Sequence, residues 1–237
     1  MIAWIDALLA AGSRATLSAA AVHLVMRARE DADVRRAVLD TTLVVPDGQP
    51  LVWALHALGH PSATRVYGPD LMARCCARAA VTGVPVYLYG GRNEGALVRL
   101  AMNMRSRFPG LEIAGAHSDP FRELTAREDE ETAARIDASG AQVVWVGTGQ
   151  PLQELWMARM RARLAAPVLI GVGAAFDFHA GLVRQAPAWM GANGLEWVYR
   201  LFREPRRLWR RYARYNPRFV AAFAREYAAD RRARRLR

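Results

Sequence analysis

Along this chain, hydrophobic positions follow two alternating periods. Short unbroken apolar runs rich in Val, Ile and Tyr stand at TTLVVP (41–46), VPVYLYGG (84–91), LEIAGAH (111–117), AQVVWVGTG (141–149) and APVLIGVG (166–173). Runs of this length, bounded by Gly, Pro or Asp, read as buried strands. Between them the apolar residues recur at helical spacing. AAVHLVMRARE (20–30) puts Val22, Val25 and Met26 on one face, and the segment after DGQP does the same with Leu51, Val52, Leu55 and Leu58, Pro50 standing near its start. GPDLMARCCARAAVTG (68–83) closes at Gly83, and NEGALVRLAMNMRSRF (93–108) follows a glycine loop. TAREDEETAARIDASG (125–140) opens with Thr125 and Glu128 at capping-box spacing, and PLQELWMARMRARLA (151–165) is a further helix. Strands alternating with helices predict an α/β fold, a Rossmann-like and mostly parallel sheet flanked by helices.

From GLEWVYRLFREP onward the strand pattern stops, and residues 194–237 read as helical with interruptions at Pro205 and Pro217. The expected organisation is a Rossmann-like core over 1–195 and a helical appendage over 196–237. Charge sharpens this division. The net charge is +11, and residues 200–237 hold fourteen Arg against Glu204, Glu226 and Asp230, so the rest of the chain is neutral. FREPRRLWRRYARYNPRF (202–219) mixes seven Arg with two Phe, one Trp and two Tyr. So many guanidinium groups cannot be buried unpaired, so the segment faces water, lipid headgroups or phosphate. Its aromatics suit a membrane interface, and Phe219, Phe223 and Tyr227 continue an apolar stripe. The same mixture would serve a nucleic-acid-binding module, by phosphate contact and base stacking.

Several classes are disfavoured. The N-terminus carries Asp6 and no basic stretch, which makes a poor signal peptide. The longest apolar stretch, 164–176, is 13 residues broken by Pro and Gly, against roughly 20 needed to span a bilayer. Membrane contact is therefore expected to be peripheral. Cys75 and Cys76 are adjacent on a helix, suited to be buried small hydrophobes in a reducing cytoplasm rather than a disulfide or zinc site. The five His residues form no metal-binding spacing, and DAD (31–33) sits at a charged helix end; no metal and no cofactor is expected. GGRNEG is not a dinucleotide fingerprint, and no acid follows at the distance that would hold a ribose.

In doubly wound folds the site lies where strand C-termini meet helix N-termini. PDGQP (46–50), YGGRNEG (89–95) with Gly90 and Gly91, and GTGQPLQE (147–154) with Gly147 and Gly149 are the candidate loops, whose backbone N–H groups could face a phosphate. His179 and Asp177 lie in AFDFHAG, next to another such loop.

Together these blocks resemble the WecG/TagA/CpsF family of bacterial glycosyltransferases. The likeness is carried by LVVPDGQPLVWALHALG, RVYGPDLM, VYLYGG, VVWVGTGQPLQELWM, GVGAAFDFHAG and APAWMGANGLEWVYRLFREPRRLWRRY, in family order across nearly the whole chain. The resemblance implies an inverting, metal-independent enzyme at the cytoplasmic membrane face, moving a sugar from a UDP-sugar to a polyprenyl-diphosphate-linked saccharide. By the same resemblance Asp47 is the general base, although a cap on the helix near Pro50 is the competing role for that residue. Arg65 is expected near the donor diphosphate, Gln153 on the donor sugar, and Arg206, Arg207, Arg210 and Arg211 on the diphosphate from an appendage that both covers the site and meets an anionic membrane. Nucleic acid is then no partner, and a homo-oligomer stays open. The chain departs from the family pattern at Leu152, where a lysine is usual, and at Ala19 and Ala21, where a Thr and an Asn are usual. Thr16 and Ser18 lie close enough to take over. An inactive scaffold member of the family is the alternative these departures raise.

Overall fold

In the computed structural model, which describes residues 1–119, 122 and 124–235, the chain forms six parallel strands between two layers of helices. The strands are β1 (Ala15–Ala20), β2 (Leu43–Pro46), β3 (Val86–Gly90), β4 (Ile113–His117), β5 (Val143–Gly147) and β6 (Val168–Gly171), in the order β2-β1-β6-β5-β3-β4. The helices are α1 (Ile2–Ala10), α2 (Val22–Glu30), α3 (Ala32–Leu39), α4 (Gln49–Ala57), α5 (Gly68–Thr82), α6 (Glu94–Arg107), α7 (Ala126–Ala138), α8 (Leu152–Met160), α9 (Ala175–His179), α10 (Ala188–Ala192), α11 (Glu196–Arg203) and α12 (Pro205–Arg235). All strand pairs are parallel, one step beyond the expected mostly parallel sheet.

The period-2 alternation divides the central strands between two cores. Val86, Leu88, Val143, Trp145, Val168 and Ile170 pack on one face, with residues of α5, α6 and α9. Tyr87, Tyr89, Val144, Val146 and Leu169 pack on the other, with α7 and α8. Both faces are covered, which is why these strands read as continuous apolar runs. The capping box of Thr125 and Glu128 is formed, and Gly83 closes α5 in the left-handed conformation.

Three local expectations change. β1 (ATLSAA) carried no strand signal, because alanine and serine lack the β-branched signature; it is nevertheless central, buried along its whole length between β2 and β6. On α2 the buried residues are Leu24 and Met26, while Val22 and Val25 are half-buried. Pro205 does open a new helix, but Pro217 interrupts nothing and lies inside α12. Pro217 and Ala213 are both exposed, so water can take the carbonyl that a missing N–H would leave unpaired.

The basic segment is docked rather than free. Leu208 is 0% exposed and Tyr215 is buried. Arg214 and Arg218 donate to Glu30 at 2.8 and 2.6 Å, and Arg29 of α2 pairs with Glu226. Phe219, Phe223 and Tyr227 stack in series, and Phe219 packs against the cluster around Leu24, Val34 and Leu51. Part of the expected free basic surface, Arg214 and Arg218, is thus paired with an acid of the body. Among the described residues no helix is long and apolar enough to cross a membrane.

Candidate active site

The loops that follow β1, β2, β3, β5 and β6 converge at the C-terminal edge of the sheet on a cavity of about 240 Å³, roofed by α11 and α12. A second, more apolar chamber of about 470 Å³ adjoins it between α4, α11 and α12, lined by Trp53, Trp197, Tyr212 and Phe219. Asp47, His23, Arg200 and Arg211 line both chambers.

Asp47 leaves the end of β2 with its N–H on Ala20 O at 2.9 Å. It does not cap α4, whose N-cap is Gly48. Its Oδ1 instead accepts the N–H of Gly68 at 3.0 Å, satisfying an orphan donor in the first turn of α5. Oδ2 has no partner among the described residues and is free to take a proton. Burial pushes the carboxyl up to about 6, with the Gly68 N–H and Arg65 opposing that shift. A carboxyl so tuned is mostly ionised at neutral pH and still basic enough to receive a proton.

Arg65 fixes this loop. Its Nε donates to Asp47 O at 2.5 Å, its NH2 pairs with Glu196 of α11, and its Cζ lies 4.3 Å from the Tyr67 ring centroid. It lines the apolar chamber and not the smaller one. Gly91, Gly147, Gly149 and Gln153 all line the smaller cavity, whereas Gly90 stands one residue behind it. At Gly147 glycine is required by close approach: an added Cβ would lie 2.4 Å from the Phe176 ring. Gly147→Ala is expected to cost about 1–3 kcal/mol of stability, read as a lower urea midpoint, with activity falling as the loop shifts.

Of the four arginines expected from the appendage, Arg207 and Arg211 line the cavity. Arg206 and Arg210 are exposed and do not. Helical geometry explains the split, since residues four apart share a face. Arg200 joins them, as does Arg92 from the β3 loop. The Nε atoms of Arg200 and Arg211 are buried without a partner among the described residues. Desolvation lowers the Arg211 pKa, and repulsion from Arg200 and Arg207 adds to that. Asp177 lines the cavity but its carboxylate is occupied: Arg92 donates to it at 2.8 and 3.0 Å, and Arg207 stands 3.8 Å away. It positions cations. Arg92 and Arg207 are partly neutralised in this way, whereas Arg200 and Arg211 are not.

Thr16 lies outside the cavity. It exchanges hydrogen bonds with Thr42 near the N-terminal ends of the strands, at 3.0 and 3.1 Å. Ser18 is fully buried and donates to Glu154 at 2.5 Å, so it also does not reach the cavity surface. Ala19 and Ala21 do line it, and Gln150 bridges them, donating to Ala19 O at 2.5 Å and accepting from the Ala21 N–H at 3.3 Å. Leu152 is 55% exposed and faces away, so the absent lysine leaves no gap in this wall. His179 is buried behind the site on Pro69 O.

Sequence reasoning missed His23, Arg92, Gln150 and Arg200. Arg92 stood in a quoted glycine loop and Arg200 at the edge of the Arg-rich run, so both had a signal. His23 had none. Its Nε2 lies 3.2 Å from Gln150 O, a carbonyl that can only accept, so the proton sits on Nε2. Burial first, then Arg211, pushes its pKa down to about 4, leaving a neutral imidazole.

A carboxyl poised to accept a proton, beside guanidinium groups that no carboxylate neutralises among the described residues, is the equipment of group transfer with an anionic leaving group. The family model described as the glycosyl transferase WecG/TagA/CpsF family matches residues 1–233. That span takes in the sheet, both chambers and nearly all of α12, and the chain therefore belongs to this family and is a glycosyltransferase.

Proposed function

We propose that this glycosyltransferase works in cell-surface polysaccharide synthesis, moving a sugar with inversion from a UDP-sugar to a polyprenyl-diphosphate-linked saccharide. The observation that carries the reading is the placement of Asp47 between the two chambers, opposite Arg200 and Arg211. In this reading the smaller, arginine-roofed chamber takes the donor and the apolar chamber takes the acceptor. Asp47 Oδ2 removes the acceptor hydroxyl proton as that oxygen attacks the anomeric carbon from the face opposite the diphosphate. The bond from the anomeric carbon to the diphosphate oxygen breaks, and the charge on the departing UDP is taken up by Arg200, Arg207 and Arg211. With arginines in that role the enzyme needs no metal. Turnover of a panel of UDP-sugars, in the presence of a polyprenyl-diphosphate acceptor and excess EDTA, is the test. One donor consumed with inverted product is the expected result. Loss of activity with EDTA, restored by Mn²⁺, would overturn the metal-free step. A panel with no turnover at all would favour the scaffold reading.

The membrane-facing surface is assigned to a different set of aromatics from the Phe219 stripe. Phe202 is 83% exposed and Trp209 52%, beside the outward-facing Arg203, Arg206 and Arg210. Rings with a basic fringe suit the headgroup layer. Replacing Phe202 and Trp209 together by Ser is expected to weaken binding to anionic liposomes by about tenfold or more, while turnover of a water-soluble acceptor is kept. Retention on heparin lost together with liposome binding would instead mark a general polyanion surface, as in a nucleic-acid-binding module.

A further inference from the structure

Three hydrogen-bonded polar side chains lie under the floor of the smaller cavity, and each is 0% exposed: Ser18 on β1, and Gln153 and Glu154 in the first turn of α8. Glu154 Oε1 accepts two hydrogen bonds, from Ser18 Oγ at 2.5 Å and from Gln153 Nε2 at 2.8 Å. Burying three such groups is costly unless each is satisfied, and two atoms are not. Glu154 Oε2 and Gln153 Oε1 have no partner among the described residues. Gln153 Oε1 is the one that faces the cavity. It lies beside Gly173, where a Cβ would stand 3.3 Å from it and 3.6 Å from Gly149 Cα, and both glycines line the cavity. It is an acceptor with nothing to accept from.

A primary amide can turn over and exchange its oxygen for its NH2 at little intrinsic cost, and only its neighbours decide the orientation. Here the neighbour is a carboxyl oxygen, already accepting from Ser18. The reversed amide would set oxygen against oxygen and turn two donors toward the cavity. Burial holds the Glu154 carboxyl up to about 6, but its Oε1 accepts in either protonation state.

We infer that Glu154, steadied by Ser18, is a positioning residue that locks the Gln153 amide with Oε1 toward the cavity, where it accepts a hydroxyl of the sugar being transferred. The inference rests on the reading that this chamber binds a sugar nucleotide. It gives Ser18 a part in recognition although Ser18 cannot reach a ligand.

The test uses the full-length protein, with UDP and the turned-over UDP-sugar as separate probes. Gln153→Leu and Glu154→Leu are each expected to lower kcat/KM for the UDP-sugar by about tenfold to a hundredfold. UDP binding should stay within about twofold, because UDP lacks the sugar. The double variant should be no worse than Gln153→Leu alone, the mark of residues acting through one contact. Glu154→Gln, which keeps an accepting oxygen in place, should restore most of the activity. If Glu154→Leu does not fold, Ser18→Ala decides: a rise in donor KM of about threefold to tenfold, absent in the Gln153→Leu background, supports the relay. Losses that multiply in the double variant, a Ser18→Ala variant with unchanged donor KM, or UDP binding that falls in step with UDP-sugar binding would each overturn the inference. A wild-type protein that binds no nucleotide sugar would instead defeat the functional reading itself.

Discussion

Asp47→Asn is expected to lower turnover by about 10²–10⁴-fold while leaving UDP affinity nearly unchanged. The Asn carbonyl can still accept the Gly68 N–H, so the link from the end of β2 to the start of α5 keeps its brace. What is lost is the oxygen able to take a proton. For the wild type, kcat/KM should fall about tenfold per pH unit below a midpoint near about 6, to which burial raises the Asp47 carboxyl. Glu154 titrates in the same range, also at about 6, so Glu154→Gln is the control that should retain this limb. Asp47→Asn should also stabilise the fold. The folded carboxyl is raised from its ordinary 3.8 to about 6, so the wild type is least penalised below 3.8 and loses stability as pH rises through 6. Above that, Asp47→Asn should be more stable by at most about 3 kcal/mol, less whatever solvent in the cavity screens. The gap should close by pH 4. Turnover within about threefold of wild type would reduce Asp47 to a structural brace.

Arg211→Gln should reduce kcat/KM by about 10²–10³-fold, and Arg200→Gln by a similar factor, if the two guanidinium groups meet the charge that grows on the leaving diphosphate. Both have a buried Nε without a partner among the described residues, and what else they keep is modest, Arg211 a hydrogen bond with Tyr212 and Arg200 a place over the Phe178 ring. Arg211 is further strained by burial and by its cationic neighbours. Its loss should therefore leave the thermal midpoint unchanged or raised, the opposite of what a structural arginine would show. Arg206→Gln and Arg210→Gln are the matched controls, since both residues point outward. They should change soluble-acceptor turnover by less than about twofold and weaken liposome binding instead. Equal losses for the inward and outward pairs would mean that the roof acts by net charge alone. Lysine at 211 should rescue little, because a point charge does not replace a planar fork.

What the sequence determined by itself was the class of fold and the edge of the sheet where a candidate site would lie. Continuous apolar runs such as VVWVG and VYLYG can only be strands covered on both faces, and the helices between them force parallel connections. That pattern sends the loops to one edge of the sheet, so the loops that carry Asp47, Gly91, Gly147, Gly149 and Gln153 were legible as candidates, while Asp47 and Gln153 were singled out only by the family resemblance. Local rules carried this information, because a buried strand or a capped helix is specified by residues close together in the chain. β1 escaped them: ATLSAA becomes a strand only because β2 and β6 lie beside it. The tertiary structure alone decided which arginines face inward, since seven in one segment look alike until the docking of Leu208 and Tyr215 sets the rotation of α12. It alone turned Ser18 from a candidate ligand contact into the support of Glu154, 136 residues away in sequence. It also brought His23 and Gln150 to the cavity wall. Such assignments rest on contacts between segments distant in the chain, and no periodicity or spacing within one segment encodes them.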